Sequence, residues 1–307
     1  MSKINKKRLN PGWTTLFIFM ALVDLGLILR YLMQGKNIAL FNPKGLIAQE
    51  QMSLMVLTAV VLLAIAIPTL FILFYTAWKY RETNSKATYA PNGRHSKYLS
   101  LSIWAIPTAF MLVLALVMWP ATHRLEPRKV ITSDAKPITI QVISMRWKWL
   151  FIYPDQNIAT VNFVQVPVNT PVQFVLTADE APMSSFWIPN LGGQLYSMTG
   201  HVNRLNLMAD TPGDYPGSSA EINGAGFSGM KFIARASSAE DFSRWAQEVK
   251  QSPDVLDAAT YDRVLEPSEN NPAAFYSTYE NGLYDKVVMK YTGSHDHRLT
   301  KYEGSEH

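Results

Sequence analysis

The chain contains two long stretches without a charged side chain, Leu54 to Trp78 and Tyr98 to Pro120. At a helical rise of ~1.5 Å per residue, the first is long enough for the ~30 Å hydrocarbon layer of a bilayer. The pattern therefore predicts two transmembrane helices, about 54–78 and 98–120, within a segment 36–122. Trp104 near the start of the second run and Trp119 at its end suit the membrane–water interface, and Pro68 and Pro107 can kink the helices. An earlier apolar stretch, Trp13 to Leu29, follows Lys3, Lys6, Lys7 and Arg8 and fits either a signal peptide or an anchor helix occupying 1–35. Asp24 interrupts it and no A-x-A-like cleavage site follows, so a retained third helix is the expectation.

From about residue 130 the periodicity changes to short alternating segments, such as Ile138 to Ile143 and Val172 to Leu176, divided by Pro, Asn, Asp and Gly turns. This predicts an all-β sandwich or barrel over 123–237. Trp147, Trp149, Phe151 and Tyr153 alternate along one expected strand, which would put all four rings on one face. Beyond the strand-like Met230 to Ala236, the spacing of Phe242, Trp245, Ala246 and Val249 is helical, with Ser238 and Asp241 as a cap. A helical, aromatic-rich extension is expected over 238–293, then a flexible polar tail, 294–307. His295, Asp296, His297 and His307 in that tail offer only weak grounds for a metal site.

Composition sharpens this picture. Apolar residues make up 48% of the chain while the mean hydropathy is near zero, so very apolar and ordinary stretches must be segregated. The net charge of +4 arises largely beside the apolar runs. The loop 79–97 carries Lys79, Arg81, Lys86, Arg94 and Lys97 against the single acid Glu82, which places it in the cytoplasm and everything after Trp119 outside. No basic, aromatic-interleaved nucleic-acid motif is present. Cysteine is absent, which excludes disulfides, thiolate zinc, c-type haem attachment and thiolate-bound copper.

Paired transmembrane helices followed by an external β domain resemble subunit II of the haem-copper respiratory oxidases. The run S-F-W-I-P-N-L-G-G, Ser185 to Gly193, is similar to that family's segment after its first copper ligand. The family's second signature, C-A-E-x-C-G-x-x-H-x-x-M, corresponds here to S-A-E-I-N-G-A-G-F-S-G-M. Ser219 and Asn223 stand at the cysteine positions, Phe227 at that of a histidine and Ser184 at that of the other histidine, while Glu221 and Met230 remain. Hydroxyl, amide and phenyl groups do not replace thiolate and imidazole around soft copper, so the resemblance implies a cupredoxin-like domain without its metal. Packing is the plain role for Met230, and Glu221 would have offered only its backbone.

Such a copper-free domain resembles the quinol oxidase branch, the bo type in particular. Lys136 to Asn162, F-N-P-K-G at Phe41 to Gly45, and E-P-S-E-N-N-P-A-A-F-Y-S, Glu266 to Ser277, strengthen the likeness. The resemblance implies a structural subunit of a proton-translocating ubiquinol oxidase. Haems and a copper ion would lie in subunit I, subunits III and IV would be further partners, and a bacterial inner membrane would be the setting. It also implies that Trp147, Trp149, Phe151 and Tyr153 lie near the membrane and subunit I, as packing and anchoring groups. Asp24, if its segment spans the bilayer, needs a polar partner in another helix or subunit; the alternative is a position near the membrane surface or within a cleaved peptide. Lys36 stands where relatives carry a lipid-modified cysteine, and Ser100 where some carry a glutamate of a proton path. The rival readings are a copper-bearing cytochrome c oxidase subunit II and a free-standing, membrane-tethered binding module.

Overall fold

A computed structural model describes residues 20, 23, 24, 26–28, 31, 38–87 and 96–292. Most of the first apolar stretch, Lys36, and the histidines expected in the tail lie outside these residues; Asp24 is helical and exposed.

Both long uncharged runs are helical, as α1 (Leu46–Lys79) and α2 (Lys97–Arg124), and each extends past the expected limits at both ends. The helices continue through Pro68 and Pro107. Among the described residues these are the two helices long and apolar enough to cross a membrane. Large apolar side chains along them are exposed, with Phe71 at 70%, Leu116 at 76% and Trp104 at 77%. An apolar surface of that extent calls for a lipid surround rather than water.

The start of α1 and the end of α2 both join the β domain. The Lys44 amide donates to the Asn190 carbonyl at 2.7 Å, the Ala48 amide donates to Leu191 at 3.2 Å, and Gly45 bridges Ala209. Gly192, in the left-handed region at φ +87°, permits this approach, because a Cβ there would lie 2.7 Å from the Ala48 nitrogen. At the other helix, Ala121 is buried, and the Asn206 side chain donates to the carbonyls of Pro127 at 3.3 Å and Arg128 at 3.1 Å.

The β domain contains β1 (Ile138–Met145), β2 (Lys148–Tyr153), β3 (Ile158–Val161), β4 (Phe163–Pro167), β5 (Val172–Ala178), β6 (Ser184–Trp187), β7 (Gln194–Ser197), β8 (Asn203–Leu207), β9 (Gly213–Ser219) and β10 (Lys231–Ser237). The extension adds α3 (Ala239–Lys250), α4 (Ala258–Leu265), β11 (Ala274–Tyr276) and α5 (Leu283–Thr292). One sheet runs in the order β11-β3-β2-β1-β5-β8 and the other β4-β10-β9-β6-β7. The β1–β5 and β4–β10 pairs are parallel, the remaining ladders antiparallel.

Strand β2 shows how the side chains sort. Trp149, Phe151 and Tyr153 point into the sandwich core with Phe174, Phe186 and Phe232, while Leu150 and Ile152 enter a second cluster on the sheet's other face. The shared face expected for alternating aromatics therefore holds for these three, but their expected place beside subunit I does not. All three are fully buried within this chain, so no partner can reach them. Trp147 lies before β2, in the turn from β1, at φ 66° and only partly buried, yet it packs against the same core cluster.

The extension is helical as expected, and it packs a second cluster against the sheet. Leu256, Tyr261, Tyr276, Leu283, Tyr284, Val287 and Val288 of the extension cover Ile143, Leu150, Ile152, Val161 and Val175. Strand β11 also pairs with β3, so the extension completes the sheet as well as roofing it. Helix α3 follows expectation: Ser238 Oγ accepts the Asp241 amide at 3.0 Å, and Phe242, Ala246 and Val249 are buried. Lys148 anchors α4. Its buried ammonium donates to the carbonyls of Val264 at 2.7 Å and Glu266 at 2.8 Å, satisfying groups at a helix C-terminus. Burial lowers its pKa, and Glu266 opposes that shift.

Candidate functional site

Two connections bring the signature positions together. Ser184 opens β6, Ser219 closes β9, and the loop to β10 carries Glu221, Asn223, Phe227 and Met230. Pairing of Phe186 with Ser219 holds the start of that loop against β6, and pairing of Ser218 with Lys231 ties its two ends together. Residues 39 positions apart thus meet: Asn223 Nδ2 donates to Ser184 Oγ at 2.7 Å and contacts Met230 Sδ at 3.0 Å. Ser219 Oγ accepts the Ser185 amide at 3.3 Å and donates to the Glu221 carbonyl at 2.9 Å. Ser184, Ser219, Asn223 and Met230 are buried; Glu221 and Phe227 are half-buried, with Phe227 opening a short 3-10 turn.

Two neighbours escaped the sequence reading of this cradle. Trp147 Nε1 donates to the Asn223 carbonyl at 3.3 Å, and its ring fills the space beside Gly226, where a Cβ would come within 2.4 Å of it. The sequence hint was the pair of glycines, Gly224 and Gly226, in the loop. Ser185 is the other; its hydroxyl and Asn223 Oδ1 are buried without a hydrogen-bond partner.

The donor set does not fit a thiolate-bridged copper pair. An amide N–H directed at the Met230 sulfur opposes a cation there, the hydroxyl groups are neutral and hard, and among the described residues no imidazole hydrogen-bonds to them. Among the described residues, no group of three or more His, Cys, Asp or Glu side chains could hold a metal. Replacing Asn223 by Ala removes the donor joining Ser184 to Met230. It should lower stability by about 1–3 kcal/mol, read as a reduced thermal midpoint of the purified complex. The Trp147 bond to the residue 223 backbone should survive, leaving its fluorescence unchanged.

A second buried polar cluster fastens the extension to the loop preceding Ser184. Asp179, 1% exposed, accepts from Tyr261 Oη at 2.6 Å, Tyr291 Oη at 2.7 Å and Lys290 Nζ at 2.9 Å. Lys290 also reaches Glu180 at 2.8 Å. Burial and the Asp179 carboxylate raise the Tyr261 phenol, whereas the carboxylates hold the Lys290 ammonium above its ordinary value against a desolvation penalty. These partners are more than 80 positions apart in the chain, and no local pattern announces them.

Comparison with known proteins places this architecture. Over 276 residues, spanning 90% of this chain and 87% of the relative, it is 45% identical to the cytochrome bo(3) ubiquinol oxidase subunit 2 of Pseudomonas putida. The chain belongs to the quinol oxidase subunit 2 family. The ubiquinol oxidase subunit 2 of Acetobacter aceti is 40% identical, with 87% of each chain covered. The family model "Cytochrome C oxidase subunit II, periplasmic domain" matches residues 155–237, from just before β3 to the end of β10. The "COX Aromatic Rich Motif" matches residues 250–295, the part of the extension that builds the second cluster. Among solved structures, the periplasmic domain of subunit II of cytochrome oxidase of Bradyrhizobium japonicum aligns with 39% of this chain and 96% of that one, at 21% identity and TM-score 0.36. As a quinol oxidase subunit 2, the chain is a membrane-anchored component of a respiratory oxidase complex, with a cupredoxin-like periplasmic domain.

Proposed function

We propose that this chain is the non-catalytic subunit II of a proton-translocating ubiquinol oxidase in a bacterial inner membrane. It spans that membrane more than once, presents its β domain to the periplasm, and stabilises the assembly with subunit I and with subunits III and IV. Ubiquinol would deliver electrons to haems in subunit I, where oxygen would be reduced at a haem-copper centre. No electron passes through the cradle in this reading. Ser184, Ser219, Asn223 and Phe227 occupy lost ligand positions, and Glu221 and Met230 are retained as structural groups.

The observation that carries this reading is the occupation of the cradle by its own side chains. Asn223 donates to Ser184 at 2.7 Å and contacts Met230 at 3.0 Å, so its amide nitrogen links two of the other signature positions. Ubiquinol also appears in the names of relatives aligned along most of the chain.

Activity of the purified complex with ubiquinol and with reduced cytochrome c, measured side by side, tests the proposal. Ubiquinol should support turnover and cytochrome c should give none above background, while metal analysis should find no copper assignable to this subunit. Rapid turnover with cytochrome c, together with a copper pair in the β domain, would favour the cytochrome c oxidase reading. Purification without any haem-containing partner would favour the free-standing module.

A further inference from the structure

The far end of the helical hairpin carries a group of side chains that the oxidase reading does not use. Helix α1 begins against the β domain and runs for 34 residues, about 50 Å, to Lys79. Its uncharged run ends at Trp78, and Tyr75, Trp78 and Tyr80 are 48%, 56% and 57% exposed. Rings at this depth lie at the boundary between hydrocarbon and headgroup. Cations sit directly against them: Lys79 Nζ lies 5.7 Å from the centroids of both tyrosines, and Arg81 Cζ lies 5.1 Å from that of Trp78.

Arg81 is held in place. Its Nη1 donates to the Trp78 carbonyl at 3.0 Å and its Nε to Thr83 Oγ1 at 3.2 Å. Asn84 Nδ2 closes the end of the helix on the Lys79 carbonyl at 2.6 Å. A guanidinium has five N–H donors, and two are used here. Among the described residues no carboxylate lies within ion-pair distance of Lys79, Arg81, Lys86 or Lys97. The arrangement is a planar donor fork, fixed over an indole, with Lys79 two positions before it in the chain.

We infer that Lys79 and Arg81, on the aromatic shelf of Tyr75, Trp78 and Tyr80, bind the phosphate of an anionic phospholipid in the cytoplasmic leaflet. Phosphate oxygens take the remaining N–H groups of the Arg81 fork, which matches them in pairs. Lys79 adds a point charge, and the rings take up the glycerol and first acyl carbons. Net negative headgroup charge satisfies the surplus of cations, and a zwitterionic headgroup does not. This inference rests on the spanning, periplasm-outward orientation proposed above.

The test uses the complete, delipidated oxidase complex, titrated with phosphatidylglycerol or phosphatidylcholine and read by native mass spectrometry. The wild type should retain a tightly bound phosphatidylglycerol, and Arg81→Gln should weaken that binding about tenfold, the loss of one charge-assisted contact. Arg81→Lys, which keeps the charge but not the fork, should fall between them. Thermal midpoints and co-purification of the haem subunit establish that each variant is assembled. Unchanged affinity in Arg81→Gln, wild-type affinity in Arg81→Lys, or equal affinity for phosphatidylcholine would overturn the site. Displacement of the lipid by inorganic phosphate at matching concentration would overturn the assignment to a lipid. Because the chain has no cysteine, Glu82→Cys provides a topology reporter. An impermeant maleimide should label it in inside-out vesicles and not in spheroplasts. The reverse result would remove the orientation and the site together, whereas a failed lipid titration removes the site alone.

Discussion

Replacing Asp179 by Ala should lower the stability of the β domain by about 3–5 kcal/mol and release α5 from it. The carboxylate is 1% exposed and accepts from Tyr261, Tyr291 and Lys290, so its removal breaks three hydrogen bonds and leaves the buried Tyr261 hydroxyl unmatched. Lys290 and Tyr291 are partly exposed and can turn to water, which keeps the loss below the sum of three separate contacts. Asp179→Asn preserves the shape and one acceptor oxygen and should cost less than Asp179→Ala. Thermal unfolding of the purified complex measures the loss, and limited proteolysis should show earlier cleavage within 250–292. An Asp179→Ala protein that melts with the wild type and resists protease equally would show that apolar contacts alone hold the extension.

Alkaline pH should destabilise the β domain steeply. Burial raises the phenols of Tyr153, Tyr261 and Tyr284 above their ordinary value of 10.0. Above that pH the unfolded chain releases these protons while the folded chain retains them. The unfolded state then binds fewer protons, and stability falls as pH rises. Each fully retained proton contributes a slope of ~1.4 kcal/mol per pH unit, so the three together give about 4. The stability is complete below pH 10.0 and is lost progressively above it. Lys148 acts with the opposite sign: its folded value lies below 10.5, so between that value and 10.5 stability rises with pH and offsets only the start of the fall. Thermal midpoints from about pH 9 to about pH 11 should trace the decline, with Tyr153→Phe and Tyr261→Phe each flattening it. Identical slopes in wild type and both variants would refute the assignment.

The two effects meet in the extension at Tyr261. Tyr261 and Tyr284 belong to its apolar face, and Tyr261 is also the Asp179 donor. The aromatic-rich motif therefore places polar tips as well as rings: one hydroxyl locks onto the β5–β6 loop while the ring bodies cover the outer face of the sheet. That loop leads directly into Ser184, so the position of the cradle's first wall depends on how the extension is seated.

Local pattern alone determined the two long apolar helices, the strand-rich domain and the capped helix α3. Uncharged length, period-two alternation and the Ser238–Asp241 cap act between near neighbours. The missing cysteine and histidine donors were equally legible, because ligand chemistry belongs to residue type. Tertiary structure decided what each face meets. The run from Trp149 to Tyr153 is apolar on both sides, and alternation separates its two faces without saying which partner covers either. The core took one set through Phe186 and Phe232, and the extension took the other through Tyr261 and Leu283. The Asn223–Ser184 bond and the Asp179 cluster likewise join residues 39 and more than 80 positions apart. Periodicity reports only on a residue and its near neighbours, whereas these contacts arise where non-consecutive strands lie side by side and burial forces their polar groups to find one another.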